Sequence, residues 1–148
     1  MSFPDPAPRQ CLRSHTVRCT GYLREDGLWD IEGEGHFPDS CACSCGDELG
    51  EWRRGEPIHQ MWIRLTLDDS YQVKAVATSM DVFHKAACRV APGSRGLVGL
   101  RIDERWNKSV RALLGGPKGC RHLLELLAHT ASSALEMIES KGAPNTAG

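Results

Sequence analysis

Three things are missing from this chain of 148 residues. No apolar run approaches the roughly 20 residues that a membrane-spanning helix needs. Neither sign of charge dominates. The 18 basic and 19 acidic side chains leave a formal net charge of −1, so there is no global electrostatic case for a nucleic-acid partner. No two cysteines stand at the Cys-X2-Cys spacing of a zinc finger. Residues 1–10 are rich in proline and lack the apolar core of a secretion signal. A soluble cytoplasmic protein, with neither membrane nor nucleic acid as partner, is the expectation.

What the chain has in excess is cysteine, seven in all. An odd count without an export signal argues against a disulfide framework and for reduced thiols, some of them ligands. Cys11 and Cys19 read equally well as small buried hydrophobes.

The length suits one domain with a real core. Pro4, Pro6 and Pro8 forbid regular pairing, so residues 1–13 read as a flexible arm, 14–141 as one domain and 142–148 as a disordered tail. Residues 15–23 and 28–35 read as strands around a Glu25-Asp26-Gly27 turn, because Asp-Gly tolerates the positive φ of a hairpin. Residues 58–67 are the clearest strand, with Met61, Ile63, Leu65 and Leu67 alternating against Trp62, Arg64 and Thr66. After the turn Asp68-Asp69-Ser70, residues 71–78 return with Val73, Ala75 and Ala77 on one face. Helices are predicted over 82–90, over 104–114 with Asp103 as N-cap, and from about 120 to 140. The last carries an apolar line of Leu123, Leu127, Ala131, Ala134 and Ile138. Four strands before any long helix imply an α+β fold: an antiparallel sheet of about four strands, with about three helices packed on one face. No internal repeat is visible.

The stretch that points to chemistry is Gly115-Gly116-Pro117-Lys118-Gly119-Cys120-Arg121-His122-Leu123. A glycine-rich loop runs into an apolar helix, and Cys120 and His122 stand where that helix begins. The unpaired N–H groups and the dipole of a helix start favour thiolate over thiol. Lys118 and Arg121 flank Cys120 and add to that field.

Asp26-Gly27-Leu28-Trp29-Asp30-Ile31-Glu32, Gly55-Glu56-Pro57-Ile58-His59-Gln60-Met61 and Gly119-Cys120-Arg121-His122-Leu123 together resemble the bacterial "domain of unknown function 2889" family, over roughly residues 15–138. The resemblance implies site residues rather than a reaction. Where that family commonly has Asp after the histidine, this chain has Gln60. The cluster Cys41, Cys43 and Cys45 is not part of the pattern. A second resemblance, of element order only, is to the U-type iron–sulfur cluster scaffolds. It implies ligand positions at His59, Cys88 and the pair Cys120 and His122.

Two thiolates and two imidazoles suit zinc and also iron, so His59, Cys88, Cys120 and His122 are the candidate metal or iron–sulfur ligands. The same residues permit another chemistry. Cys120 is a candidate nucleophile with His59 or His122 as base, and Asp30, Glu32 or Glu56 are available to orient it. That reading implies a cysteine-dependent enzyme or a small-molecule accessory protein. A third reading is an interaction domain without chemistry, with a protein partner or a homodimer seated on the sheet face that carries Trp62. Cys41, Cys43 and Cys45 read as exposed thiols, Trp29 and Trp106 as core, and His129 as solvent-facing.

Overall fold

The computed structural model describes residues 3–12, 14–38, 57–80, 94–115 and 121–142. Strands β1 (Thr16–Leu23), β2 (Trp29–Pro38), β3 (Pro57–Leu67) and β4 (Val73–Met80) form one antiparallel sheet in the order β1-β2-β3-β4. A 3-10 turn, Arg95–Leu97, leads to helix α1 (Trp106–Leu114), and helix α2 (Arg121–Gly142) follows. The fold is α+β with a long C-terminal helix, but the described residues hold two helices rather than about three. The helix expected over 82–90 lies outside them, as do residues 143–148 of the expected tail. Residues 3–12 are exposed and carry no strand or helix.

α2 packs chiefly on β2 and then on β1. Its expected apolar line is buried throughout, and Leu126 and Thr130 are buried beside it. From the sheet, β2 contributes Trp29, Ile31 and Phe37, and β3 contributes Met61, Ile63, Leu65 and Leu67. Trp29 is 8% and Trp106 3% exposed, so both are core. The glycines of β2 set how closely the helix approaches. A Cβ on Gly33 would meet Thr130 Oγ1 and Leu126 Cδ1. Glycine inside a strand marks such a close approach.

The β1–β2 turn forms where Asp-Gly predicts it. Gly27 has a φ of 86°, and Arg24 N–H donates to the Leu28 carbonyl at 2.8 Å. At β4 the expected face is wrong. Leu67 pairs with Val73, yet Thr66 pairs with Ala75 and Leu65 with Val76. The extra residue, Lys74, is a bulge that reverses the alternation after it. Val73 is therefore buried and Val76 packs on the core, while Ala75 and Ala77 are exposed. Asp103 also differs from expectation. Its carboxylate accepts from Arg105 N–H at 2.8 Å, so it shapes the turn before α1, and the helix begins only at Trp106.

The β3–β4 turn is held by Asp68, whose Oδ1 accepts from the Ser70 hydroxyl, Ser70 N–H and Gln72 N–H. The Ser70 hydroxyl bond leads, with these amides and Lys74 assisting, in lowering its pKa to about 2. A folded-state pKa below the unfolded one gives stability that is complete above about pH 4 and is lost as pH falls towards 2. Melting temperature followed from pH 5 to pH 2 should therefore fall less steeply in Asp68→Asn than in the native protein. Parallel curves would show that the turn contributes nothing to acid unfolding.

Candidate functional site

Antiparallel connectivity brings the start of β1, the end of β2 and the start of β3 to one end of the sheet. α2 begins at that end. Here three rings from distant parts of the sequence meet. The rings of Phe37 and His122 stack at 4.5 Å between centroids, with 28° between their planes. His15 lies edge-on to both, 5.3 Å from Phe37 and 6.0 Å from His122. Phe37 is fully buried and His122 is 3% exposed, whereas His15, just before β1, is exposed.

The strands explain why these residues meet. β2 continues past the expected residue 35 to Pro38. Phe37 therefore remains in the alternation of Trp29, Ile31, Gly33 and Gly35 on the helix-covered face. His15 shares its parity with the half-buried Val17 and Cys19 of β1. His122 stands one residue into α2, ahead of the buried Leu123.

Of the residues predicted from the sequence, His122 is at this site. The backbone of His59 is also there, because Phe37 and His59 are register partners; the His59 side chain lies outside the described residues. Cys88, Cys120, Cys41, Cys43, Cys45 and Glu56 also lie outside them. In sequence, three of the undescribed stretches adjoin elements whose described ends lie at this end of the sheet. Residues 39–56 link the end of β2 to the start of β3, 81–93 leave the end of β4, and 116–120 lead into α2. Five of the seven cysteines fall in these three stretches.

His15 and Phe37 escaped the sequence reading. The alternation of His15, Val17 and Cys19 was available to place the first. Asp30 and Glu32, considered as orienting carboxylates, are engaged on the other face of the sheet. Asp30 accepts from the Thr66 hydroxyl at 2.7 Å, and Glu32 accepts from Arg64 Nε and Nη2 at 2.9 and 2.6 Å. That ion pair raises the Arg64 pKa through its hydrogen bond to Glu32. Gln60 has the parity of that outward face, opposite His36. Trp62 is half-buried there, and His129 is exposed on α2 as expected. Cys11 is exposed and Cys19 half-buried, so neither is a fully buried hydrophobe.

Among the described residues, no group of three or more His, Cys, Asp or Glu side chains is arranged to hold a metal ion, and no helix is long and apolar enough to cross a membrane. A family model described as "Protein of unknown function (DUF2889)" matches residues 13–136. No curated protein and no solved structure matches, so the likeness to U-type iron–sulfur scaffolds is unsupported.

Proposed function

The chain belongs to that family of proteins of unknown function, and from this premise we propose that the end of the sheet where α2 begins binds a divalent transition-metal ion, zinc by ligand type. The observation that carries the reading is the meeting of the His15 and His122 rings 6.0 Å apart. Two imidazoles bound to one tetrahedral zinc through nitrogens at about 2.0–2.1 Å have ring centres roughly 5 Å apart. His15 is exposed, and its ring would have to turn to reach that spacing. Cys120 and His59 complete the donor set, with Cys88 as the alternative to His15. A mixed thiolate and imidazole set is one that zinc favours. Phe37, stacked on His122, would fix that ring and keep water from it, as the surroundings of metal ligands commonly do.

Metal analysis of tag-free protein tests this. The expected result is about one zinc per chain in the native protein, and a several-fold loss in both His122→Ala and Cys120→Ser. Metal-free native protein would overturn the reading. Fast alkylation of Cys120 near neutral pH in that metal-free protein would move the assignment to the thiol as nucleophile. Association lost in Trp62→Ala would move it to an interaction domain.

A further inference from the structure

At the opposite end of the sheet, α2 ends beside the β1–β2 and β3–β4 turns and leaves an open cleft of about 720 Å³. Leu23, Trp29, Tyr71 and Ile138 give it an apolar and aromatic wall, and Asp69 and Glu139 give it acidic groups. We propose that this cleft binds a small organic ammonium ion.

Three observations point the same way. First, the cleft is lined by Ile138, Glu139 and Lys141, which belong to the last turns of the 22-residue α2, the negative end of the helix. With Asp69 and Glu139 this gives the cleft a cation-attracting rim. Second, Trp29 Nε1–H donates to Asp69 Oδ1 at 3.0 Å. The carboxylate is thereby fixed against the indole while its other oxygen stays available, in the pairing of aromatic ring and anion that suits alkylammonium groups. Third, Tyr71 is held at a φ of 66°, a left-handed conformation that a bulky residue adopts at a cost and that Asn or Gly would adopt more easily. The turn does not need a tyrosine. Part of the ring packs against the core, and its half-buried remainder lines the cleft. Leu23, 50% exposed, adds apolar surface at the mouth for the alkyl part of the ligand. Lys141 is the one cation among the described lining residues. It stands in the last turn of α2, where the helix end already attracts it, and it competes with the ligand.

Calorimetric titration with choline, and with its uncharged isostere 3,3-dimethylbutan-1-ol, tests the assignment on the full chain. Choline should bind at least fivefold more tightly than the alcohol. Asp69→Asn keeps an acceptor for Trp29 and removes the charge; it should weaken choline at least fivefold. Tyr71→Asn suits the left-handed backbone and should weaken it similarly. Lys141→Gln should strengthen it. Equal binding of choline and the alcohol, no detectable choline binding, or choline affinity unchanged in both Asp69→Asn and Tyr71→Asn would overturn the proposal. A lysine-containing peptide binding more tightly than choline would overturn its assignment to a small molecule.

Discussion

Phe37→Ala is expected to lose about 3–5 kcal/mol of folding stability, the usual cost of deleting a fully buried aromatic side chain. Phe37 is 0% exposed and stacks on His122 at 4.5 Å, so its removal also takes away the ring on which His122 stacks. The two consequences can be separated. Phe37→Leu retains most of the apolar volume and should cost only about 1–2 kcal/mol, while the flat surface under the imidazole is gone. If Phe37 orients His122 for a metal, zinc affinity in Phe37→Leu should fall about 10- to 100-fold, the range typical of lost support around a ligand. Urea unfolding gives the first quantity and competition with a chromophoric chelator the second. Unchanged zinc affinity in a folded Phe37→Leu would confine Phe37 to packing.

Gly33→Ala is the second large effect. Its new Cβ would collide with Thr130 Oγ1 and crowd Leu126 Cδ1 at 3.2 Å and Ile63 Cγ2 at 3.3 Å. The Thr130 hydroxyl cannot simply turn away. It is fully buried and donates to the Leu126 carbonyl at 2.7 Å. The helix must lift from β2, and overpacking of this kind costs about 1–3 kcal/mol; Gly33→Val belongs at or above the upper end. Because one contact dominates, the effect should be non-additive. Combining Gly33→Ala with Thr130→Ala should recover about 1 kcal/mol relative to the sum of the single changes. Strict additivity in denaturant unfolding would mean that α2 is not seated where Gly33 permits.

The two glycines also show why part of the site was hidden in the sequence. β3 was legible because Met61, Ile63, Leu65 and Leu67 alternate without interruption, and α2 because its apolar line repeats at helical spacing. β2 was legible only to residue 35. Gly33 and Gly35 carry no side chain to mark the buried face, so the alternation fades two residues before Phe37. Glycines at alternate positions in a strand can themselves signal a helix pressed against the backbone. The bulge at Lys74 left no sequence mark, because Val73, Ala75 and Ala77 alternate plausibly on their own. Sheet connectivity was needed to bring His15 to His122. Spacing along the chain cannot relate residues 15, 37 and 122, whereas the antiparallel order puts the start of β1, the end of β2 and the start of α2 together. The stretch Cys120-Arg121-His122, within which α2 begins at Arg121, was visible as a point of chemical interest because a glycine-rich sequence precedes an apolar helix.

The proposed function rests on one metal ion held at this end of the sheet through both imidazole and thiolate. The most direct measurement is a cobalt(II) titration of metal-free protein, followed by absorption spectroscopy, because thiolate ligation and tetrahedral geometry each leave their own bands. Both are expected at one equivalent. The thiolate charge-transfer band should be lost or sharply reduced in Cys120→Ser, the tetrahedral bands altered in His122→Ala, and all of them displaced by zinc. A titration that yields only the weak spectrum of hydrated cobalt would contradict the proposed function.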